Sequence, residues 1–295
     1  MTKKIYRFLR RIVWGSPLGK WSWSFRILMV LAPFVRKVFR LSPRGDQIVL
    51  VQGHKMLFGG ASEAHLDMTD GTWEPGVVTL LGERLSPGMT FVDLGAHIGF
   101  FTLMAAKLVG DKGRVYAFEP APENFELLTK NISLNGYRNV VPIQMAVANE
   151  EGSTTLYLNP YSVAHSLHRD TFGKSRKELC IEVTTLDSYF ERLGWPYVSV
   201  VKMDIEGAEP NALEGMRGLI KRNRNLVLIL EYVPEILERA DRDPGKLLSL
   251  IRTLGFEMFL ITPESGKLEL FSEKIASRKG LRAELLCQQA NITAR

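Results

Sequence analysis

The amino-acid sequence predicts an α/β protein with helices on both faces of a mostly parallel sheet. From residue 89 onward, short apolar runs typical of buried strands alternate with longer segments of helical periodicity. Glycines close the first two helical segments, at Gly110 and Gly136, as they commonly do at helix ends. A chain of 295 residues, 45% hydrophobic and 24% charged, has the size and balance of one large globular domain or two small ones.

The first half of the predicted domain contains three strands and two helices. In chain order the segments are "MTFVDLGA" (89–96), "IGFFTLMAAKLVG" (98–110), "RVYAFEP" (114–120), "PENFELLTKNISLNG" (122–136) and "VVPIQMAV" (140–147). Strand, helix, strand, helix, strand is the order of a Rossmann-like sheet, which binds its ligands at the carboxyl ends of the strands.

The second half continues the alternation and ends in two short strands. Its segments are "VSVVKMDIEGAEPNALEGM" (198–216, strand, loop and helix), "NLVLILEY" (225–232, strand), "DRDPGKLLSLIRTLGF" (241–256, helix), "EMFLI" (257–261) and "KLELF" (267–271). We therefore predict strands and a helix leading into the core over 46–88, a core domain over 89–275 and a C-terminal tail over 276–295.

The first 45 residues differ in charge from the rest of the chain. They contain eleven Lys or Arg and no acid, so the net charge of +6 leaves −5 for the remaining residues. Within "KKIYRFLRRIVW" the apolar side chains fall on one helical stripe, with basic side chains opposite. Basic, aromatic-rich helices suit an anionic bilayer surface. The candidate membrane-binding residues are Phe8, Arg11, Trp14, Trp21, Trp23, Arg26, Phe34, Arg36 and Lys37.

Two alternatives for residues 1–45 stay open: a helical cap on the domain or on a second subunit, and a basic arm that contacts RNA. The uncharged run Ile27–Val35 has nine residues, far short of the about 20 that a spanning helix needs. The segment also lacks a signal-peptide cleavage pattern. Two distant cysteines, Cys180 and Cys287, favour a reducing compartment. We expect a monotopic protein on the cytoplasmic face of a membrane.

The stretch "FVDLGAHIGFFT" (91–102) predicts the ligand site. Gly95 and Gly99 permit a tight turn after the first strand, and Asp93 precedes it. Glu119 ends the second strand, where a carboxylate can bind the two hydroxyls of a ribose. A dinucleotide prefers G-x-G-x-x-G, so the single G-x-x-x-G favours S-adenosylmethionine over the nicotinamide cofactor of an oxidoreductase. A purely structural turn is the remaining alternative.

These motifs resemble the FkbM family of class I, S-adenosylmethionine-dependent methyltransferases. The matching stretches include "VDLGAHIGFFT", "VYAFEPAPENFELLTKNISLN", "VTTLDSYF", "VVKMDIEGAE" and "LILEYVPE", within residues 70–235. The resemblance implies a seven-stranded sheet with the last strand antiparallel, and O-methylation of a sugar or another hydroxyl. It also implies S-adenosylmethionine as the cofactor and S-adenosylhomocysteine as the product. The expected cofactor-binding residues are Glu74, Asp93, Gly95, Ala96, His97, Gly99, Glu119, Pro120 and Asn124.

The chain departs from the family pattern at two points. It has His97 where the family commonly has Asn, and Tyr232, Val233 and Pro234 where a His commonly follows the strand-end Glu. Methyl transfer to an alcohol is aided by a base within hydrogen-bond reach of the hydroxyl. The candidate catalytic residues are Asp204, Glu206, His165, His168 and Glu231. Helix capping is the structural alternative for Glu206 and for Glu209. Asp204 and Glu206 could bind Mg²⁺, but we predict no metal site.

Joined to the basic N-terminal segment, the cofactor site predicts a methyltransferase that acts at a membrane surface. Its acceptor would be a hydroxyl of a lipid-linked sugar, as in a glycolipid, or of a lipid head group. An RNA methyltransferase is the first alternative, and the acidic body argues against it. A non-catalytic membrane-binding scaffold is the second. We expect no nucleic-acid partner, and a homo-oligomer would be compatible with an apolar N-terminus.

Overall fold

A computed structural model describes residues 47–59, 63–159, 165–169 and 177–289 of the chain. The predictions for residues 1–45, including every candidate membrane-binding residue, lie outside these ranges. Across the described part of the chain, no helix combines the length and the apolar character that crossing a bilayer requires.

Strands and helices alternate through most of the described chain. The strands are β1 (Ile48–Val51), β2 (His54–Leu57), β3 (Thr90–Leu94), β4 (Arg114–Phe118), β5 (Val140–Ile143), β6 (Ala146–Val147), β7 (Gly152–Leu158), β8 (Lys177–Thr184), β9 (Val200–Met203), β10 (Val227–Tyr232), β11 (Phe256–Ile261), β12 (Leu268–Leu270) and β13 (Ala283–Gln289). The helices are α1 (Glu63–Asp70), α2 (Pro75–Arg84), α3 (Phe100–Val109), α4 (Pro122–Leu134), α5 (Leu186–Arg192), α6 (Glu209–Glu214), α7 (Arg217–Arg222), α8 (Pro234–Arg239), α9 (Pro244–Thr253) and α10 (Glu273–Ala276).

Eight strands form the main sheet, in the order β12-β11-β13-β10-β9-β3-β4-β5. Strands β5, β4, β3, β9 and β10 pair in parallel, and β13 lies antiparallel between β10 and β11. The predicted α/β class and the antiparallel last strand are confirmed, and the short edge strand β12 brings the predicted seven strands to eight. The chain moves outward from β3 in one direction and later returns beside it as β9. The crevice between β3 and β9 is therefore the switch point at which such sheets bind ligands.

The observed elements differ from the sequence predictions at two points. The predicted third strand, 140–147, divides into β5 and β6, and β6 joins β7 and β8 in a separate three-stranded sheet. The predicted tail, 276–295, contains β13, which occupies an interior position of the main sheet. A core domain that ends at 275 would omit this strand. One of the two partners of β13 is β10, which ends more than 50 residues earlier in the chain, so local sequence patterns do not reveal this pairing.

The main sheet is buried on both faces, as expected for parallel strands covered by helices. Side chains alternate along β3: Phe91 packs with the α2, α3 and α4 side of the core, whereas Val92 and Leu94 pack on the opposite side. Asp93 shares the face of Phe91. Because Lys202 is the register partner of Asp93 on β9, its side chain faces the same way.

Candidate active site

The carboxyl ends of β3, β4, β9 and β10 surround a pocket that contains most of the predicted site residues. Six carboxyl groups and two basic groups line it: Glu74, Asp93, Glu119, Asp204, Glu206 and Glu231, with Lys202 and Arg282. Gly95, Ala96, His97, Pro120, Asn124 and His165 also line it. Gly99 and His168 are not among the lining residues. The pocket is therefore acidic, with a positive group at its base and another at its rim.

The turn after β3 brings three parts of the chain close together. Gly95 has φ of 81°, and a β-carbon at this position would lie 2.0 Å from the carbonyl oxygen of Asp204. Gly99 has φ of 97°, and a β-carbon there would lie 2.8 Å from Cδ1 of Leu128 on α4. Because Gly95 has no side chain, the backbone that leaves β9 can pack directly against the turn. Because Gly99 has none, α4 can pack close to the start of α3. The sequence predicts that both glycines belong to a tight turn around a ligand. The structure shows that close packing of the neighbouring backbone and of α4 also requires glycine at these positions.

Glu119 is held firmly at the end of β4. Its Oε2 accepts a hydrogen bond from the backbone N–H of His97 at 2.8 Å. Its Oε1 accepts from the N–H of Ala121 at 3.0 Å and from Nδ2 of Asn124 at 3.4 Å. Burial nevertheless raises the pKa of the Glu119 carboxyl to about 7, because these hydrogen bonds offset only part of its desolvation. Glu119 therefore joins the turn after β3 to the start of α4.

Asp93 and Glu74 are two further carboxyl groups that line the pocket. The Asp93 carboxylate accepts a hydrogen bond from Oγ1 of Thr102 at 2.6 Å, and burial raises its pKa. Glu74 precedes α2 with φ of 38°, and its Oε2 is buried without a hydrogen-bond partner among the described residues. Burial raises the pKa of Glu74 to about 8. An unsatisfied buried acceptor of this kind suits a donor on a bound ligand.

Lys202 supplies the positive charge at the base of the pocket. Its side chain is only 3% exposed, and Nζ lies 3.1 Å from Oδ2 of Asp204. The ammonium also lies 4.6 Å from the centre of the Phe101 ring, a cation–π distance. Burial alone would lower the Lys202 pKa, but Asp204, Glu74 and nearby acids raise it, and the net shift is upward. Lys202 therefore stays charged.

Asp204, Glu206 and Glu231 converge beside the pocket. One carboxylate oxygen from each lies within 4.8 Å of the others. Glu231 forms an ion pair with Arg282 at 3.1 Å, and burial followed by repulsion from Asp204 raises its pKa to about 7. Burial followed by repulsion from Glu231 raises the pKa of Glu206 well above its ordinary value. The three candidate carboxylates for catalysis thus form one cluster.

The two candidate histidines occupy different places. His165 lines the pocket, and its Nδ1 accepts a hydrogen bond from the N–H of Asn159 at 3.1 Å, which leaves the proton on Nε2. His168 packs beside Gly207, and Cδ2 of His168 would lie 3.7 Å from a β-carbon at that glycine. Burial lowers the pKa of both histidines. Of the two, only His165 has access to the pocket.

Glu209 is the first residue of α6, and it binds the loop before the helix instead of capping the helix, which has no side-chain cap hydrogen bond. Its Oε1 accepts hydrogen bonds from the N–H groups of Ile205 and Gly207, both at 3.2 Å. Glu209 is buried, and burial raises its pKa to about 7. It closes the loop between β9 and α6 and so supports the positions of Asp204 and Glu206.

Sequence reasoning did not assign a role to several side chains at this site. The sequence places Lys202 two residues before Asp204 on a predicted strand, but it does not show that the lysine side chain is buried. Arg282 and Glu284 lie in the segment predicted as a tail. The apolar residues of "AELLCQQ" are a strand signal that could have placed both of them near the sheet.

A mostly parallel sheet of this strand order, with a pocket at the β3–β9 switch point, has the architecture of the class I, S-adenosylmethionine-dependent methyltransferases. Residues 93–258 match the methyltransferase FkbM domain, which covers more than half of the chain. The chain belongs to the FkbM methyltransferase family.

Similar proteins include other methyltransferases. The hexuronic acid methyltransferase AglP of Haloferax volcanii is 29% identical over 208 residues, covering 70% of this chain and 81% of AglP. The 31-O-demethyl-FK506 methyltransferase FkbM of Streptomyces tacrolimicus is 26% identical, covering 59% and 75% of the two chains. A crystal structure of an S-adenosylmethionine-dependent methyltransferase from Aquifex aeolicus has 15% identity and a TM-score of 0.42, covering 74% and 89%.

We predict that Glu119→Gln weakens binding of S-adenosylhomocysteine by about 10- to 100-fold, the cost of losing charge-assisted hydrogen bonds of about 1.5–3 kcal/mol. Both Glu119 oxygens accept from backbone N–H groups, and glutamine offers only one oxygen, so one N–H would face an amide NH₂. Calorimetric titration measures the effect. The control is Glu123→Gln, an exposed acid in the first turn of α4. A dissociation constant within twofold of wild type would contradict the assignment of Glu119.

We also predict that the protein without ligand loses stability as the pH rises from about 5 to 8. Glu119, Glu209 and Glu231 have pKa values of about 7 when folded, and Glu74 about 8, against 4.5 for an ordinary Glu. Between these values the folded chain binds more protons than the unfolded chain, so the free energy of unfolding decreases with pH. Each group contributes at most about 1.4 kcal/mol per pH unit.

Urea denaturation at several pH values measures this slope, and Glu231→Gln should reduce it. Glu214→Gln, at an exposed ion pair with Arg217, serves as the control and should leave the slope unchanged. A free energy of unfolding that is constant or increases between pH 5 and 8 would contradict the prediction.

Proposed function

We propose that this chain methylates a hydroxyl of a lipid-linked sugar or lipid head group at a membrane surface. The observation that carries the proposal is the convergence of Asp204, Glu206 and Glu231 beside the cofactor pocket. In this proposal the acceptor approaches these groups, because a carboxylate can accept the proton that a hydroxyl loses on methylation.

The pocket residues fit S-adenosylmethionine. The cofactor carries an ammonium group, a sulfonium group and a ribose diol, and the acidic side chains of Glu74, Asp93 and Glu119 complement its positive charges and its hydrogen-bond donors. Glu119 would hold the ribose hydroxyls, and the buried Oε2 of Glu74 would accept a hydrogen bond from the ammonium group. When bound, the cofactor supplies a methyl group already activated for displacement.

Asp204 is the candidate for the catalytic base. Its ion pair with Lys202 uses Oδ2 and holds the carboxylate at the end of β9. Oδ1 is outside that ion pair and would accept the hydroxyl proton. Glu231 is the second candidate, because a carboxyl with a pKa of about 7 can exchange a proton near neutral pH. Alignment of the acceptor oxygen is expected to contribute more than either base.

One similar protein supports a sugar acceptor, and another supports transfer of the methyl group to oxygen. AglP is named for methylation of a hexuronic acid, and the Streptomyces protein is named for an O-methylation. The membrane part of the proposal depends on the basic and aromatic residues of the N-terminal segment. Each Lys or Arg near an anionic surface can contribute about 1 kcal/mol, so eleven are ample for peripheral binding.

The test compares the full chain with a full-length variant in which Arg26, Arg36 and Lys37 are replaced by glutamine. Sedimentation with anionic vesicles should remove the wild type from solution and leave much more of the variant behind. Methyl transfer from labelled cofactor should occur to a lipid fraction, whereas binding of S-adenosylhomocysteine should be equal for both proteins. Binding to RNA but not to vesicles at physiological salt would support the RNA alternative and overturn the membrane part.

A further inference from the structure

The three carboxylates beside the cofactor pocket belong to different elements of the chain. Asp204 follows β9, Glu206 lies in the loop that leads to α6, and Glu231 belongs to β10. One oxygen of each lies within 4.8 Å of the others. Carboxylates brought this close repel each other unless they share protons or a cation.

The positive groups of this chain compensate only part of the cluster. Lys202 pairs with Oδ2 of Asp204 and Arg282 pairs with Oε1 of Glu231, both at 3.1 Å. These ion pairs leave the second oxygen of each carboxylate outside them. Glu206 differs from both, because its Oε2 is fully buried and has no hydrogen-bond partner among the described residues. A buried acceptor with no partner costs free energy, and a bound cation would remove that cost.

We propose that Asp204, Glu206 and Glu231 bind a divalent cation of the Mg²⁺ type. The donor set consists only of carboxylate oxygens, which hard cations such as Mg²⁺ and Mn²⁺ prefer over softer metals. Three protein oxygens leave coordination positions for water or for an acceptor molecule. This inference deepens the proposed function, on which it rests, and it revises our expectation that the chain has no metal site.

A cation at this position would select an acceptor with two neighbouring oxygens. A vicinal diol, or a hydroxyl beside a carboxylate, can approach a metal through both oxygens, and a sugar or a uronic acid offers such pairs. The cation would lower the pKa of the hydroxyl that reacts. That hydroxyl would give its proton to a carboxylate oxygen of the cluster that does not bind the cation, as the hydroxyl oxygen forms a bond to the methyl carbon and the methyl–sulfur bond breaks. The cation itself gains and loses no electrons.

The test titrates the full chain with Mn²⁺ and follows the free ion by electron paramagnetic resonance. We expect one saturable site per chain in the sub-millimolar range, and competition by Mg²⁺. Glu206→Gln and Glu231→Gln should each weaken binding by at least about tenfold. Glu284→Gln is the matched control, since Glu284 also has a buried Oε2 without a partner but is not one of the three converging residues.

The control separates a coordination site from general attraction by negative charge. Equal weakening in Glu284→Gln and Glu206→Gln, or no saturable binding, would overturn the proposal. Mn²⁺ should also raise the melting temperature of the wild type and not that of Glu206→Gln, which keeps the test valid if one variant folds poorly. Binding of S-adenosylhomocysteine in the presence of a chelator tests the proposed function separately, because the cofactor residues are not the metal ligands.

Discussion

Replacement of Gly95 by alanine is expected to abolish detectable cofactor binding and to destabilise the fold by about 3 kcal/mol or more. The new β-carbon would lie 2.0 Å from the carbonyl oxygen of Asp204 and 3.0 Å from its carbonyl carbon. Both atoms belong to backbone, so the conflict cannot be relieved by a side-chain rotation. Positive φ for a residue with a β-carbon costs about 1–2 kcal/mol, and overpacking typically adds about 1–3 kcal/mol.

The loss of binding follows from the position of the conflict. The N–H groups of Gly95 and Ala96 both donate to the carbonyl oxygen of Phe118, the residue before Glu119. If β3 and β9 separate at their carboxyl ends, Glu119 and Asp204 move apart together with the turn. We therefore expect the affinity for S-adenosylhomocysteine to fall more than 100-fold, measured by calorimetry at a temperature where circular dichroism shows a folded variant.

Gly136→Ala is the control for backbone strain alone. Gly136 has φ of 69°, similar to that of Gly95, but apart from its chain neighbours no described residue has an atom within 4 Å of a β-carbon at this position. Its replacement should cost about 1 kcal/mol and leave cofactor affinity unchanged. An affinity of Gly95→Ala within threefold of wild type would show that the turn tolerates a side chain and would refute the assignment.

The cofactor half of the site could be predicted because its determinants are local. The turn after β3 contains its own glycines and acid, and Glu119 follows the next strand directly. Carboxyl ends of neighbouring parallel strands meet at one edge of a sheet, so placing these residues together required only the strand order. Asp204 and Glu231 could be placed at the same edge for this reason too, because each lies at the carboxyl end of a predicted strand.

The charge balance of the site could not be predicted from local pattern. Arg282 reaches Glu231 only because β13 inserts between β10 and β11, and that insertion pairs Glu231 with Glu284 across the sheet. The burial of Lys202 depends on α3, whose Phe101 covers the ammonium. Such contacts depend on tertiary packing of elements that are distant in the chain.

Replacement of Lys202 by methionine is expected to lower the free energy of unfolding by about 3 kcal/mol at pH 8. Removing one partner of a buried ion pair leaves the other charge uncompensated, which typically costs about 3–5 kcal/mol. The side chain of Asp204 is 25% exposed, so water screens part of its charge. We therefore expect a loss at the lower end of this range. Methionine is unbranched and one atom shorter than lysine, so it retains most of the volume of the buried side chain, and loss of charge dominates the effect.

The dependence of this loss on pH distinguishes a charge effect from a packing effect. Lys202 attracts Glu74 and Glu284, and without it their carboxyl groups bind protons more readily. At pH 6 these groups are protonated in the folded variant, and the destabilisation should be clearly smaller than at pH 8. Urea denaturation at both pH values measures the difference. Lys130→Met, at an exposed helical ion pair, should change stability little at either pH. An equal loss for Lys202→Met at both pH values would indicate packing alone and would contradict the role of Lys202 as the central counter-charge of the acidic pocket.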